Sequence, residues 1–501
     1  MKQNTVRSAI VIGAGFSGLS AAISLADKGF AVTLVERHDQ TGGRARVLKE
    51  QGFTFDMGPS WYWMPEVAAD FFSKHGRSID NYLDLVRLDP SYQVIFGRQD
   101  TVALPASYDK LKQVFDSIEP GAGERLDRFM QEAGYKYRTA MSTYVNKPGL
   151  HFSELCSREV LGSFMKMDML QSFSAHARKF FKDERLLRII EFPVLFLGAT
   201  ADHIPAMYSM MNYADIKLGT WYPTGGMSML VKAFTELAVE SGVNIMLNTT
   251  VEKLEVSGNE ITGVRTDKGL LTADVVVSGA DYHHTDQELL PEGRGNYKTA
   301  YWDKRVMAPS CLIYYMGVSR KIPGLQHHNL FFENDLRAHA AAIYTKPEWP
   351  EKPLFYLCCP SKTDDSVAPQ GMENLFVLIP TAPGLQDTPA IRQHYLDMVL
   401  EKTAEYCGDD FRKDIVYSRS YACSDFIADY SAFKGNAYGL ANTLGQTAFL
   451  KPSIRHKTIS NLFFTGQLTV PGPGVPPAII SGQVVADYIS KQKAFIHESV
   501  I

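Results

Sequence analysis

The feature that most restricts this chain lies in its first thirty-six residues. Ala9-Ile10-Val11-Ile12 is a short apolar run that enters Gly13-Ala14-Gly15-Phe16-Ser17-Gly18. Leu19 to Lys28 reads as a helix, and the apolar stretch Phe30 to Val35 closes on Glu36, 18 residues after the third glycine. Strand, glycine turn, helix, strand and acid in that order suit a dinucleotide. Gly13 allows the tight turn, Gly15 lets the backbone approach a pyrophosphate, and Gly18 lets helix and strand pack closely. The helix N-terminus offers unpaired N–H groups and a positive dipole end to phosphates. Glu36 is placed to accept hydrogen bonds from ribose hydroxyls. A glycine-rich turn alone is a weak sign, because such turns also serve structure; the strand, helix and acid around it make it specific.

The next segment chooses among dinucleotides. Arg37-His38-Asp39-Gln40-Thr41-Gly42-Gly43-Arg44-Ala45-Arg46 carries a second glycine pair followed by arginine, which NAD does not require. It resembles the FAD-dependent amine oxidase and carotenoid desaturase superfamily, where this stretch follows the ribose acid and touches the pyrophosphate. Arg44 supplies a fixed fork of donors suited to phosphate oxygens. Phe55-Asp56-Met57-Gly58-Pro59-Ser60 matches the same families, in which a strand brings the chain back past the cofactor. The resemblance thus adds Gly42, Gly43, Arg44, Ala45 and Gly58 to the expected cofactor contacts.

The 501 residues suffice for two or three domains, and 45% hydrophobic with 21% charged residues is the balance of a folded protein. A net charge of -4 gives no case for nucleic-acid binding. Six cysteines, at 156, 311, 358, 359, 407 and 423, form no C-x-x-C pair and read as buried thiols in a reducing compartment. The first strand begins within ten residues, leaving no room for a signal peptide. No apolar run approaches the roughly 18 residues of a spanning helix. The expectation is a soluble or peripheral protein. Nothing suggests a metal site: His283-His284 after Asp281 reads as a helix start or loop.

Further along, Trp61 to Pro65 opens a helix through Phe71 and Phe72, and 107–145 is helical in pattern with a break at Glu119-Pro120-Gly121-Ala122-Gly123. Residues 159–182 mix Leu161, Phe164, Met165, Met167, Met169, Leu170 and Phe173 with Lys166, Arg178, Lys179 and Lys182. This pattern suits either a core-facing helix or one lying on an anionic membrane surface. Glu191 to Gly198 and Tyr208 to Tyr213 are apolar and aromatic, as cavity walls or ordinary core would be. A helix is predicted over Ser228 to Ser241. Strands are predicted at Asn244–Leu247, Val251–Val256, Ile261–Thr266 and Leu271–Val277, a re-entry into the nucleotide domain. Later strands fall at Cys311–Val318, Leu354–Cys359 and Leu375–Ile379, with a helix near 388–406.

The last segment joins the strand Asn461 to Phe464 to a closing helix, Ala478 to Ile489. Between them runs Thr465-Gly466-Gln467-Leu468-Thr469-Val470-Pro471-Gly472-Pro473-Gly474-Val475-Pro476-Pro477, a stiff loop whose prolines restrict φ and donate no backbone hydrogen bond. A preformed loop ending at a helix N-terminus suits an isoalloxazine ring, whose N1–C2=O edge gains negative charge on reduction. Residues 469–476 satisfy Thr-x-Pro-Gly-x-Gly-x-Pro throughout. With the first segments, with Gly225-Gly226-Met227 and with Gly435-Asn436-Ala437-Tyr438-Gly439-Leu440, they make the chain resemble the bacterial phytoene desaturase family of FAD-dependent carotenoid desaturases over nearly its full length.

The resemblance implies an α/β fold: a Rossmann-type FAD-binding domain assembled from three chain segments (1–90, 225–281 and 455–493), an α+β substrate domain (151–224 and 282–454) and a helical cap (91–150). It adds Val251 as a backbone contact to the adenine, and Gly466, Gly474, Val475 and Pro476 as contacts at the ring. It implies phytoene as a carotenoid hydrocarbon substrate, desaturated stepwise to neurosporene or lycopene, with quinone or oxygen reoxidising the flavin. It also implies a cytoplasmic protein held peripherally on the inner membrane; no oligomeric state follows. A hydrocarbon offers no polar handle, so binding must come from apolar burial. The chemistry would be hydride transfer from an allylic carbon to flavin N5 with loss of a neighbouring proton. Glu154 in Phe152-Ser153-Glu154 is the candidate base, and an ordinary helix-start glutamate is its alternative. The nearest alternative activities are a 1-hydroxycarotenoid 3,4-desaturase and a carotene isomerase, which cofactor motifs do not separate. A flavin amine oxidase fits less well, because the terminal loop is proline-rich rather than aromatic. A non-catalytic lipid-binding protein like a GDP-dissociation inhibitor fits less well because Gly13, Gly15, Gly18, Glu36, Gly43 and Arg44 are all retained.

Overall fold

The computed structural model describes residues 6–151, 154 and 167–492. Its nucleotide-binding half is a five-stranded parallel sheet in the order Leu462–Phe464, Val275–Ser278, Ser8–Ile12, Ala31–Val35, Asn244–Met246. The first strand sits at the centre and its apolar residues are buried, as expected of a strand covered on both faces. Three helices cover this sheet region: Phe16–Asp27, Met227–Glu240 and Val475–Ser490. The first and last pack tightly. A side chain at Gly482 would lie 2.5 Å from the Ser17 carbonyl oxygen, and Ser20 Oγ donates to the Ile479 carbonyl at 2.6 Å. The two ends of the sequence therefore close one core. An antiparallel three-stranded sheet (Val251–Ser257, Glu260–Thr266, Gly269–Leu271) is appended to it.

A second, seven-stranded sheet runs Ile415–Tyr421, Ser310–Val318, Glu373–Thr381, Phe355–Cys358, His328–Phe331, Tyr92–Gly97, Asp100–Leu104. All its neighbours are antiparallel except His328–Phe331 with Tyr92–Gly97. Helix Pro389–Cys407 lies beside it, with Tyr395 and Val399 in a core shared with Tyr314 and Val377.

Three local expectations need correction. The stretch 91–150 is not helical throughout: its first part pairs into the large sheet. Val102 and Leu104 are buried while Thr101 and Ala103 are exposed, a period of two that marks a half-buried strand. Helices begin at Tyr108–Ile118 and continue as Ala122–Thr139 past the Pro120-Gly121 break. The predicted strand Leu271–Val277 divides between two sheets, because Asp274 leaves the ladder to accept from Ser8 N and Oγ at 2.7 and 2.9 Å. Trp61 to Met64 is not helical: Tyr62 bridges to Trp221, Met64 is left-handed at φ 58°, and the helix is Pro65–Lys74.

The greasy basic stretch 159–182 lies outside the described residues up to 166. From 167 onward it is not one helix: only Phe173–Ala177 is helical, capped by Ser172 Oγ accepting from Ala175 N. Phe173 and Phe181 are buried in the main core, Met167 is buried outside it, and Leu170 is 85% exposed. Among the described residues no helix is long and apolar enough to cross a membrane, and the five described cysteines are all free.

Candidate cofactor and substrate cavity

The first glycine turn separates into two kinds of position. A side chain at Gly18 would meet the Gly13 carbonyl oxygen at 1.9 Å, so this glycine is required by the packing of helix on strand. At Gly15 the same position is open, with nothing within 4 Å, and the residue has φ -72°. Gly15 is thus free of any steric demand from the protein itself; its bare backbone faces a cavity. Helix Phe16–Asp27 starts there with no side chain capping its N-terminus and no acid in its first turn. Helix Val475–Ser490 starts at Gly474 in the same way, and Pro476 and Pro477 lie in its first turn rather than before it. Two uncapped helix N-termini open onto one space, which favours negative charge there.

That space is a cavity of about 1260 Å3. It is lined by Gly13, Gly15, Glu36, Gly42, Gly43, Arg44, Ala45, Gly58, Val251, Gly466, Gly474, Val475 and Pro476, and also by Glu154. Of the residues expected at the site only Gly18 is absent from the lining, consistent with its packing role. Glu36 is buried and held in place: Oε2 accepts from Ala14 N at 2.8 Å and Oε1 from His38 N at 3.0 Å. Gly58 passes so close to Arg44 that a side chain would fall 2.3 Å from the Arg44 carbonyl oxygen. This is why strand Phe53–Asp56 must be followed by glycine when it returns beside the second glycine pair.

Arg44 is partly buried, and its buried Nε lacks any hydrogen-bond partner among the described residues; Nη2 reaches the Asn436 carbonyl at 3.4 Å. Burial lowers its pKa, and Asp281 raises it. Its guanidinium lies 5.2 Å from the centre of the Tyr430 ring, which Arg46 shares at 5.2 Å. Arg46 Nη2 is engaged by Asp429 at 2.5 Å, while its Nε, like that of Arg44, has no partner among the described residues. An arginine with a buried, orphaned donor beside two uncapped helix ends is a fitting seat for a pyrophosphate.

Charged side chains tie the separate segments together. Asp56 accepts from Met227 N and Ser228 N at 2.8 and 3.0 Å and so caps helix Met227–Glu240. Burial raises its pKa to about 6 against those amides. Gly226 is needed there, since a side chain would meet the Asp56 carboxylate at 2.9 Å. Asp364 Oδ2 accepts from Gly225 N at 2.6 Å. At the third segment Ser481 Oγ accepts from Gly466 N at 3.1 Å, and Thr469 Oγ1 donates to the Gly466 carbonyl at 2.8 Å, which fixes the start of the Gly–Pro loop. None of these anchors has a signature in the sequence beyond its residue type.

Away from the glycines the cavity wall is apolar and aromatic, including Trp61, Trp63, Met207, Met211, Leu378 and Phe449. Tyr208, Met210 and Met211 from the apolar runs read in the sequence, and Ala437 and Tyr438 from the 435–440 motif, line it as well. Asp281 Oδ1 accepts from His283 N and His284 N, so the acid before the two histidines caps a helical turn. Glu154 accepts from three successive amides: Gly149 N at 2.9 Å, Leu150 N at 2.8 Å and His151 N at 3.1 Å. Its carboxylate staples the loop that forms this part of the wall. Asp215, another buried carboxyl, does not line the cavity; it accepts from Tyr92 Oη at 2.7 Å and burial raises its pKa to about 7.

The family model of flavin-containing amine oxidoreductases matches residues 16–490. Among characterised relatives, the carotenoid 3,4-desaturase of Haloarcula japonica is 41% identical, covering 95% of this chain and 97% of its own length. The chain belongs to the flavin-containing amine oxidoreductase family, in its carotenoid desaturase branch. The zeta-carotene-forming phytoene desaturase of Myxococcus xanthus is 32% identical, covering 96% of this chain and 93% of its own. A Methanosarcina mazei oxidoreductase of known structure shares the fold at a TM-score of 0.62 and 17% identity, covering 96% of this chain and 100% of its own. The resemblance read from the three cofactor segments is thereby established, and with it FAD as the cofactor of an oxidoreductase. The substrate is not narrowed to phytoene, because the 41% identical relative is a 3,4-desaturase and the phytoene desaturase is more distant.

Proposed function

We propose that this enzyme desaturates a carotenoid with FAD and hydrocarbon held in the one cavity. Gly13, Gly15, Glu36 and Val251 would receive the adenosine part; Gly42, Gly43, Arg44, Ala45 and Gly58 the pyrophosphate; Gly466, Gly474, Val475 and Pro476 the ring. Gly18 keeps the turn compact. The observation that carries this reading is the continuity of a phosphate-type seat, with its two uncapped helix N-termini and orphaned arginine, into an apolar aromatic wall. Bound FAD supplies the acceptor for a hydride from an allylic carbon. The chain's own share is to align that carbon against the Gly–Pro loop and to exclude water with Trp61, Trp63 and the methionines. Glu154 we assign to the loop 149–151, since both its oxygens are engaged there.

Desaturation at C3–C4 is the first reading for the reaction, supported by the 41% identical relative. Stepwise desaturation of phytoene is the second, supported by the 32% identical relative and the 435–440 motif. The domain division at 1–90, 225–281 and 455–493 against 151–224 and 282–454 follows the same reading, with the helical part of 91–150 as cap. A peripheral seat on the cytoplasmic face of the inner membrane is supported at the cavity, where Leu450 belongs to the lining and is 41% exposed. An apolar substrate would enter there from lipid, and a membrane quinone, or oxygen, would take up the electrons. The test is incubation of the FAD-loaded enzyme and a quinone with liposomes containing either phytoene or a 1-hydroxycarotenoid. Longer chromophores from the hydroxylated substrate alone support the first reading, and from phytoene the second. Products with altered geometry and unchanged hydrogen count indicate an isomerase and contradict both.

A further inference from the structure

Lys451 is the buried charge that the account so far leaves unused. It follows the turn Ala448–Leu450, its own N–H bonding the Ala448 carbonyl at 3.1 Å, and Pro452 follows it. The residue is 4% exposed, and its ammonium has no hydrogen-bond partner among the described residues. Burial alone pushes its pKa down to about 7; no carboxylate offsets the effect. The protein treats another such lysine differently: Lys136, equally buried, has Asp168 at 2.8 Å. An ammonium taken out of water without a counter-charge is costly, so a position that keeps one calls for an anion from elsewhere.

The place of the ammonium says where that anion would be. Nζ lies 3.5 Å from the point where a side chain on Gly472 would begin, and the unpartnered Asn442 Oδ1 lies 3.3 Å from the same point. Gly472 is in the Gly–Pro loop; Gly472, Asn442 and Leu450 line the cavity, and Lys451 stands behind them rather than in the lining itself. We propose that Lys451, with Asn442 beside it, is a positioning residue for charge: it sets the flavin potential by compensating the negative charge that the ring acquires on reduction. Uptake of a hydride brings two electrons and one proton, so the ring gains one unit of negative charge. The Lys451 ammonium balances that unit without a covalent step of its own. The inference rests on the Gly–Pro loop being the seat of the ring.

The experiment compares the FAD-loaded wild type with Lys451→Met and Lys451→Arg, measuring flavin midpoint potential against a reference dye, affinity for oxidised FAD and thermal unfolding. Lys451→Met is expected to bind oxidised FAD within about threefold of wild type. Its preference for the reduced flavin should fall about tenfold, a drop in potential of about 30 mV for a two-electron couple. Lys451→Arg should restore most of that drop, which a merely structural lysine would not explain. Should Lys451→Met fail to fold, Lys451→Gln is expected to show the same fall. An unchanged potential in a neutral variant, with affinity for oxidised FAD either intact or weakened, overturns the proposal; the latter outcome places Lys451 at a phosphate. A wild-type protein that takes up no FAD overturns the ring seat itself and the lysine proposal with it.

Discussion

Gly15 and Gly18 occupy the same motif yet answer to different forces. Alanine at Gly15 has room and an ordinary φ, so the apoprotein should keep its stability to within ~0.5 kcal/mol. The new methyl would stand where the backbone is bare to the cavity, and FAD affinity should fall at least about tenfold, ~1.4 kcal/mol. Alanine at Gly18 meets a carbonyl oxygen at 1.9 Å and should destabilise the fold by ~3 kcal/mol or more, with cofactor loss as a consequence. Chemical denaturation of the apoproteins and flavin titration separate the two. Arg44→Met should leave apo stability intact, since it removes an unsatisfied buried donor, and weaken FAD by ~1.5–3 kcal/mol. The glycines were legible from their spacing between strand and helix, and Arg44 through the resemblance its segment carries. Lys451 was not, since a lone lysine before a proline reads as an exposed loop residue.

At the scale of elements, the strands and helices that carry the cofactor segments follow from apolar runs bounded by glycine and proline. The closing helix begins three residues earlier than its hydrophobic pattern suggests, because Pro476 and Pro477 are tolerated in a first turn. The strand pair at 92–104 was hidden by the charged helical sequence after it, although its alternation was present. Anchors such as Asp56 and Asp364 join residues more than a hundred positions apart, and no local pattern shows them. Glu154 gives the sharpest test at this scale. Glu154→Gln keeps an acceptor for the loop amides and should retain desaturation within about tenfold, whereas loss of a proton acceptor would cost about 10²–10⁴. Glu154→Ala, which removes all three contacts, should loosen 149–151, read as faster proteolysis there.

For the whole molecule, the chain leaves the parallel sheet and re-enters it twice, so the cofactor cavity exists only when the N-terminal, central and C-terminal segments have met. Motifs made that assembly legible; the partition of the intervening residues into sheet and cap needed the structure. The closed core also buries neutral histidines: burial holds His327 down to about 3, and His176 and His456 down to about 4. Unfolding returns each to its ordinary value near 6.5. At these positions the unfolded chain binds protons that the folded one does not, so the histidine contribution to stability falls as pH drops from about 6.5 toward 4, while the buried carboxyls of Asp56 and Asp215, raised to about 6 and about 7, oppose it. Thermal unfolding followed across that range should show His327→Gln losing less stability with acidity than the wild type. The most direct test of the central claim is anaerobic single turnover: FAD-loaded enzyme mixed with carotenoid-bearing liposomes and no electron acceptor. The visible flavin band is expected to bleach, with one double bond formed per FAD. A flavin that stays oxidised while the carotenoid is unchanged, for every carotenoid offered, would contradict it.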